Sequence, residues 1–107
     1  VRVENFRVIK EFGSRFRYRL LISFRSDKQT PDFRGRFQLA ISYLNAGKVF
    51  QLMLPDRQES GIDYQLEIKS ILRREGVFEL PAGAVLQGAE VRVLQGDTLK
   101  SKRLAQL

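Results

Sequence analysis

The sequence predicts an all-β fold, an antiparallel β-sandwich of about seven or eight strands, with a small closed or OB-like barrel as the alternative. Short segments alternate apolar and polar side chains with a period of two, which is typical of strands with one buried face. Turn-forming residues separate these segments at short, regular intervals. All 3 prolines and most of the 8 glycines fall between segments. Residues 1–107 are therefore predicted to form a single β-rich domain, a common domain size.

The chain opens with an alternating segment at residues 1–12, whose phase is interrupted at Glu4 and Asn5. An interruption of this kind predicts a β-bulge or a bend inside the strand. Gly13 and Ser14 then form a turn into the next segment.

The longest alternating stretch is residues 15–44, with apolar residues at every second position from Phe16 to Phe24 and again from Phe33 to Tyr43. Turn formers lie between these two runs. The pattern predicts two long antiparallel strands that pair as a hairpin, with Phe24 opposite Gly35 or Phe33. A glycine inside the second strand indicates a bulge or a close backbone approach.

A second hairpin follows at once. The segment Asn45-Ala46-Gly47-Lys48 predicts a four-residue loop. It would place Leu39, Ile41 and Tyr43 against Leu54, Leu52 and Phe50. Pro55 ends the returning strand because proline cannot donate to a ladder.

In the C-terminal half, residues 62–72 alternate well enough to predict a strand, although Ser60 as a helix N-cap offers a helical alternative. Residues 73–76 are predicted to turn into a short strand that Pro81 ends. Residues 81–88 are predicted to cross from one sheet to the other. Residues 89–93 form the next strand, residues 95–97 a turn, and the tail a final edge strand protected by its basic residues.

The composition argues against catalysis. The chain has no cysteine and no histidine, which removes the usual thiol nucleophile, the usual acid–base group near neutral pH and the usual transition-metal ligands. The acidic pairs Glu59 with Asp63 and Glu67 with Glu75 are expected to face solvent. We therefore expect a non-enzyme without cofactor or metal.

Net charge is +7, from 19 Lys and Arg against 12 Asp and Glu, which permits attraction to nucleic acid, an anionic membrane surface or an acidic protein. In the predicted hairpin, Arg25 and Arg34 would face each other with Lys28 and Arg36 nearby. Such a cluster suits an anion or a charged partner, or it is simply a solvated outer face. The candidate contact residues are Arg17, Arg19, Arg25, Lys28, Arg34 and Arg36. The aromatic residues share the phase of the core, which disfavours base stacking and hence nucleic-acid binding.

Five apolar residues fall out of phase with the predicted core face. They could form one patch on an outer sheet surface, for a protein partner or self-association, or they could be covered by other segments. These residues are Leu21, Leu44, Val49, Met53 and Ile71.

Several segments together resemble an uncharacterised family of proteobacterial membrane-anchored proteins. They are NFRV at residues 5–8, RFRYRLLI at 15–22, FRGRFQLAI at 33–41, ELPAG at 79–83 and VRV at 91–93. The resemblance implies a β-rich C-terminal domain that follows a transmembrane helix and a coiled coil. It also implies a periplasmic location, with the tether outside this chain; a cytoplasmic location is the alternative. The start at Val1 instead of methionine agrees with a piece of a longer protein.

These expectations lead to one leading function and one alternative. The leading one is a non-catalytic interaction or scaffolding domain of an envelope protein. The alternative is a nucleic-acid-binding barrel that uses the basic hairpin face.

Overall fold

The computed structural model describes residues 1–25 and 31–107, and the strands of this part of the chain form two antiparallel sheets. The β-sandwich prediction is confirmed, and the sheets stay separate instead of closing into a barrel. The strands are β1 (Arg2–Phe12), β2 (Arg15–Ser23), β3 (Phe33–Asn45), β4 (Lys48–Leu54), β5 (Gln65–Ile68), β6 (Ile71–Glu79), β7 (Val85–Gln95) and β8 (Thr98–Leu104), with a single 3₁₀ turn at Gly61–Tyr64 among the described residues.

The smaller sheet has the strand order β1-β2-β6, and the larger one β4-β3-β7-β8. Strand β3 is 13 residues long and holds the larger sheet together. One edge of β3 pairs with β7. The other edge is divided, with β5 along Phe33 to Arg36 and β4 along Leu39 to Asn45.

The predicted hairpin between residues 15–25 and 33–44 is wrong. Strand β2 pairs with β1 and β6, and β3 pairs with β4, β5 and β7. The two strands instead face each other across the core, where the ring of Tyr18 lies edge-on to that of Phe37 at 6.2 Å between centroids. A period of two shows which face of a strand is buried, but it does not show whether the facing apolar row is beside it or above it.

The second hairpin is confirmed residue by residue: Leu39, Ile41 and Tyr43 lie opposite Leu54, Leu52 and Phe50. The loop is shorter than predicted, because Asn45 and Lys48 already pair. Only Ala46 and Gly47 turn, both with positive φ, at 52° and 76°. Two consecutive residues in this region are the geometry of the tight turn that best matches strand twist.

At the amino end, the predicted bulge is present as a register shift between Val3 and Asn5. At the other end, the predicted turn over Gln95 to Asp97 joins β7 to β8, which is an edge strand as expected. The backbone of Gln106 then bonds to β1. Its carbonyl accepts from the Val8 N–H at 3.1 Å, and its N–H donates to the Phe6 carbonyl at 2.9 Å. This bridge ties the free edges of β1 and β8 together.

Between β4 and β7 the prediction is partly right. The strand starts at Gln65, not Ile62, because Ser60 caps the 3₁₀ turn by accepting from the Ile62 N–H at 3.3 Å. The turn predicted at residues 73–76 is wrong, since β6 runs unbroken through it. The chain changes sheet at residues 69–70 instead, and changes back at residues 80–84, which overlap the crossing predicted for 81–88.

The core lies between the two sheets, and within residues 1–25 and 31–107 its fully buried side chains are all apolar. Phe6, Ile22, Phe37, Leu39 and Ile41 have no exposed surface. Burial of each such side chain stabilises the fold by about 1.5–3 kcal/mol. The predicted inward phases of residues 16–22 and 33–41 are therefore confirmed.

Gly35 provides a test of this packing. A Cβ at this position would collide with the backbone carbonyl of Leu94 and lie 2.8 Å from the ring of Phe33. We expect Gly35→Ala to lower the free energy of unfolding by about 1–3 kcal/mol, because backbone cannot move aside as a flexible side chain can.

Urea denaturation of both glycine variants measures this effect. The control is Gly88→Ala in β7, where a Cβ meets nothing within 4 Å; its unfolding free energy should change by no more than about 0.5 kcal/mol. Equal stabilities for the two variants would contradict the close approach at Gly35.

Candidate interaction surfaces

The basic residues singled out from the sequence do not form one cluster. Arg17 and Arg19 project from the outer face of the smaller sheet, and Arg34 and Arg36 from the outer face of the larger one. Arg25 is exposed just after β2, and Lys28 lies outside the described residues. The predicted apposition of Arg25 and Arg34 across a hairpin is therefore wrong, because their strands belong to different sheets.

Each of the four candidate arginines on strands β2 and β3 also has a carboxylate partner. These ion pairs are solvent-exposed, so each contributes little to stability, about 0–1 kcal/mol. Their effect is to divide the positive charge into locally compensated pairs. The pairs, with their nitrogen–oxygen distances, are Arg17–Glu11 (3.2 Å), Arg19–Glu75 (2.8 Å), Arg34–Glu67 (3.5 Å) and Arg36–Asp97 (3.8 Å).

The pair at Glu11 extends to a second arginine. Arg15 and Arg17 both donate to this carboxylate, at 3.2 Å each. The hydrogen bond from Arg17 is the main cause that lowers the pKa of Glu11, with further contributions from Arg15. Glu11 therefore stays ionised and offsets the positive charge of Arg15 and Arg17.

A second surface feature is a depression at the open side of the sandwich, beside the 3₁₀ turn, with a volume of about 600 Å³. Two buried tyrosines line it, Tyr18 from β2 and Tyr64 from the 3₁₀ turn. The Tyr64 hydroxyl donates to Glu59 at 3.0 Å. Gly76 lies under the Tyr18 ring, where a Cβ would be 2.6 Å from Cε1.

Arg74 completes the depression. It occupies an inward position on β6, one of its terminal amino groups donates to the Gln65 carbonyl at 3.1 Å, and its Nε is buried without a hydrogen-bond partner among the described residues. The sequence did not reveal this site, because Arg74 and Gly76 were assigned to a turn. The signal that could have found them is the continuing alternation from Leu72 through Arg74 and Gly76 to Phe78.

Both tyrosines hold their protons tightly. Burial is the main cause that raises the pKa of Tyr64, and the nearby Tyr18 and Glu59 raise it further. Burial also raises the pKa of Tyr18, partly offset by its hydrogen bond with Tyr64. At neutral pH these hydroxyls are hydrogen-bonding groups of the fold and not bases.

The four residues of the two acidic pairs are exposed, as expected from the sequence. Glu59 accepts from Tyr64, while Asp63 lines the same depression. Glu67 and Glu75 lie on different sheets and bind Arg34 and Arg19. Glu59, Glu67 and Glu75 therefore each have a hydrogen-bond or ion-pair partner within the fold.

The third feature is strand β4, an edge of the larger sheet. Val49 is 62% exposed, Phe50 43% and Met53 39%. Val49 lies opposite Leu44, which lies opposite the 58%-exposed Val85, so an apolar row crosses three strands. We call Leu44, Val49, Met53 and Val85 the β4 surface; Phe50 projects to the opposite face of the sheet.

The five out-of-phase residues predicted as one patch are therefore divided. Leu21 and Ile71 lie on the outer face of the smaller sheet, opposite Arg73 and Ser23. The other three belong to the β4 surface. Of the two alternatives that the sequence left open, a single patch is not formed, because residues 21 and 44 belong to strands in different sheets.

Comparison with known proteins found no matching family model, curated protein or solved structure. Within residues 1–25 and 31–107 there is also no helix long and apolar enough to span a bilayer.

The tyrosine network makes the stability depend on pH. The pKa of Tyr64 in the folded state is above its ordinary value of 10. Above about pH 10 the unfolded chain loses this proton while the folded one keeps it, so stability is full below that pH and falls as pH rises further. Tyr64→Phe should reduce this fall, and at neutral pH it should cost about 0.5–1.5 kcal/mol for the lost hydrogen bond.

Urea denaturation at a series of pH values from neutral to alkaline measures both effects. The control is Glu59→Gln, which keeps the buried phenol and should keep most of the pH dependence. An unchanged alkaline slope in Tyr64→Phe would contradict the assignment to Tyr64.

The charge arrangement gives another prediction. Arg34→Glu together with Arg36→Glu should leave the fold nearly intact, since the ion pairs of both arginines are exposed and worth about 1 kcal/mol or less each. It should also remove any polyanion binding. Circular dichroism and fluorescence anisotropy with labelled DNA at two salt concentrations test this. Loss of folding with unchanged binding would overturn the assignment of polyanion binding to these arginines.

Proposed function

We propose that this chain is a non-catalytic interaction or scaffolding domain of an envelope protein, periplasmic and held at the inner membrane by a segment outside this chain. The observation that carries the interaction role is the β4 surface, an exposed apolar strand at a sheet edge. The resemblance described above supports the envelope location.

An edge strand can bind a partner in two ways at once. Its free backbone groups can pair with an added strand, and its side chains can pack against apolar groups on the same partner. Strand β4 offers both. Its outer edge is not paired with any described strand, and its side chains Val49 and Met53 are exposed beside that edge. This combination favours protein as the partner.

The distribution of polar groups agrees with a non-catalytic role. Two of the carboxylates that line the depression, Glu59 and Glu75, are bound to Tyr64 and to Arg19, and the two tyrosines are neutral at physiological pH. A catalytic site requires a nucleophile with a base within hydrogen-bond reach. The chain has no histidine and no cysteine to supply the usual members of such a pair, and in the Tyr64–Glu59 contact the raised pKa of Tyr64 keeps its phenol protonated and so a poor nucleophile.

The alternative of a nucleic-acid-binding domain has less support. The candidate arginines are divided between two outer faces, and each is paired with a carboxylate. They are Arg17, Arg19, Arg34 and Arg36. The stacked aromatic pairs Phe16–Phe78 and Tyr43–Phe50 are formed within the fold, so these rings already have partners. Single-stranded nucleic acid needs exposed rings together with a continuous basic groove.

The test is a quantitative comparison of proteins retained from a proteobacterial envelope extract by immobilised variants. Val49→Ser with Val85→Ser should reduce retention of specific partners by about tenfold, equivalent to about 1.4 kcal/mol. The matched control is Ile71→Ser with Val77→Ser, two exposed apolar residues on the other sheet, and it should retain them as the wild type does.

Two results would count against the proposal. Equal retention by both double variants would exclude the β4 surface as the site. DNA binding that persists at moderate salt and disappears in the Arg34→Glu, Arg36→Glu variant would favour the nucleic-acid alternative.

A further inference from the structure

The backbone of β4 presents an ordered row of free hydrogen-bonding groups. Asn45 and Lys48 flank a two-residue turn and so bond to each other. In an antiparallel ladder, bonded positions alternate. Phe50, Leu52 and Leu54 therefore also bond to β3. The N–H and C=O groups of Val49, Gln51 and Met53 point the other way, and no described strand pairs with them.

The sheet edges formed by β8 and β6 are protected in ways that β4 is not. Strand β8 carries Lys100, Lys102 and Arg103, and Gln106 ties its end to β1. Strand β6 carries four charged side chains in nine residues, ILRREGVFE. Strand β4, with the sequence KVFQLML, has one charge, Lys48 at its first position. Natural proteins place charges on edge strands to prevent pairing with another chain, and β4 has almost none.

The sequence of β4 is complementary to itself. If two copies pair antiparallel about a two-fold axis at Gln51, residue 49 faces residue 53 of the second copy, and residue 50 faces its residue 52. All seven residues of the strand then pair, from Lys48 to Leu54. This register is the only one centred on a β4 residue that uses the free backbone groups of Val49, Gln51 and Met53 together.

Charge and side-chain chemistry agree with this register. Lys48 faces Leu54 of the second copy, so the two lysines lie at opposite ends and no like charges meet across the seam. Val49 meets a methionine on the outer face, and Phe50 meets a leucine on the inner face. Apolar cross-strand pairs of this kind stabilise a sheet by about 0.2–1 kcal/mol each.

We propose that β4 pairs with β4 of a second copy of this chain, which joins the two larger sheets into one continuous sheet. This inference rests on the proposed interaction role and makes a second copy the occupant of the β4 surface. The seam is one strand wide, which is at the small end of specific interfaces, so we expect an equilibrium dimer with a Kd in the micromolar range, of order 10 μM.

Sedimentation equilibrium over a range of about 1 to 300 μM, which brackets that Kd, measures the dimer directly. Gln51 is exposed and faces itself across the axis. Gln51→Lys or Gln51→Glu should therefore each weaken the dimer by about fivefold or more, through like charges placed directly opposite. An equimolar mixture of the two variants should restore it as a heterodimer, because opposite charges then meet.

The matched control is Thr98→Lys, which adds the same charge at an exposed position on another edge strand, β8. It should dimerise like the wild type. Circular dichroism and urea denaturation check that every variant folds. Three results would overturn the proposal: a wild type that is monomeric throughout the range, a dimer that Gln51→Lys leaves unchanged, or charge variants whose mixture fails to pair.

This experiment and the extract comparison separate the two proposals. A monomeric wild type that still loses partners in Val49→Ser with Val85→Ser would overturn self-pairing and leave the interaction role intact. A dimer with Gln51-dependent mass, and equal retention by all variants, would support self-pairing and remove the case for a different protein partner.

Discussion

The fold depends on the contact between the inner faces of β2 and β3. Their inward side chains meet across the core, with Tyr18 edge-on to Phe37 and with Ile22, Leu39 and Ile41 fully buried around them. Because β3 also pairs with three other strands, this contact fixes the position of the larger sheet relative to the smaller one. Loss of complementarity here would therefore affect both sheets, since a close-packed interior has no room to rearrange.

The same contact produces the polar depression. Tyr18 reaches the open side of the sandwich, and Gly76 leaves room for its ring. Tyr64 packs on Phe37 at 4.9 Å between centroids and directs its hydroxyl to Glu59. The tyrosines bury their rings and keep their polar ends near solvent, which is the usual arrangement for this side chain. The depression is thus a consequence of core packing.

The outer surfaces differ in how their exposed groups are compensated. Four candidate arginines on β2 and β3 are each paired with a neighbouring carboxylate, so the net charge of +7 is not concentrated in the cluster expected from the sequence. The exposed apolar residues of β4 lie at a sheet edge that no other strand of the described chain covers. An apolar strand edge without charges is expensive to expose to water and invites pairing. The proposed interaction role is therefore assigned to this edge.

The sequence by itself determined most of the strands, their buried faces and most of the turns, but not the break at residues 69–70 that separates β5 from β6. The alternation from Phe16 to Ile22, the bulge at Glu4 and Asn5, and the register of β3 with β4 follow from local patterns, because side-chain direction and turn chemistry are set by nearby residues. Only the tertiary structure decided which strands are neighbours. It placed β2 and β3 in different sheets, and this separated Arg17 and Arg19 from Arg34 and Arg36. Pairing between distant segments depends on how whole faces fit together, and no local period encodes that fit.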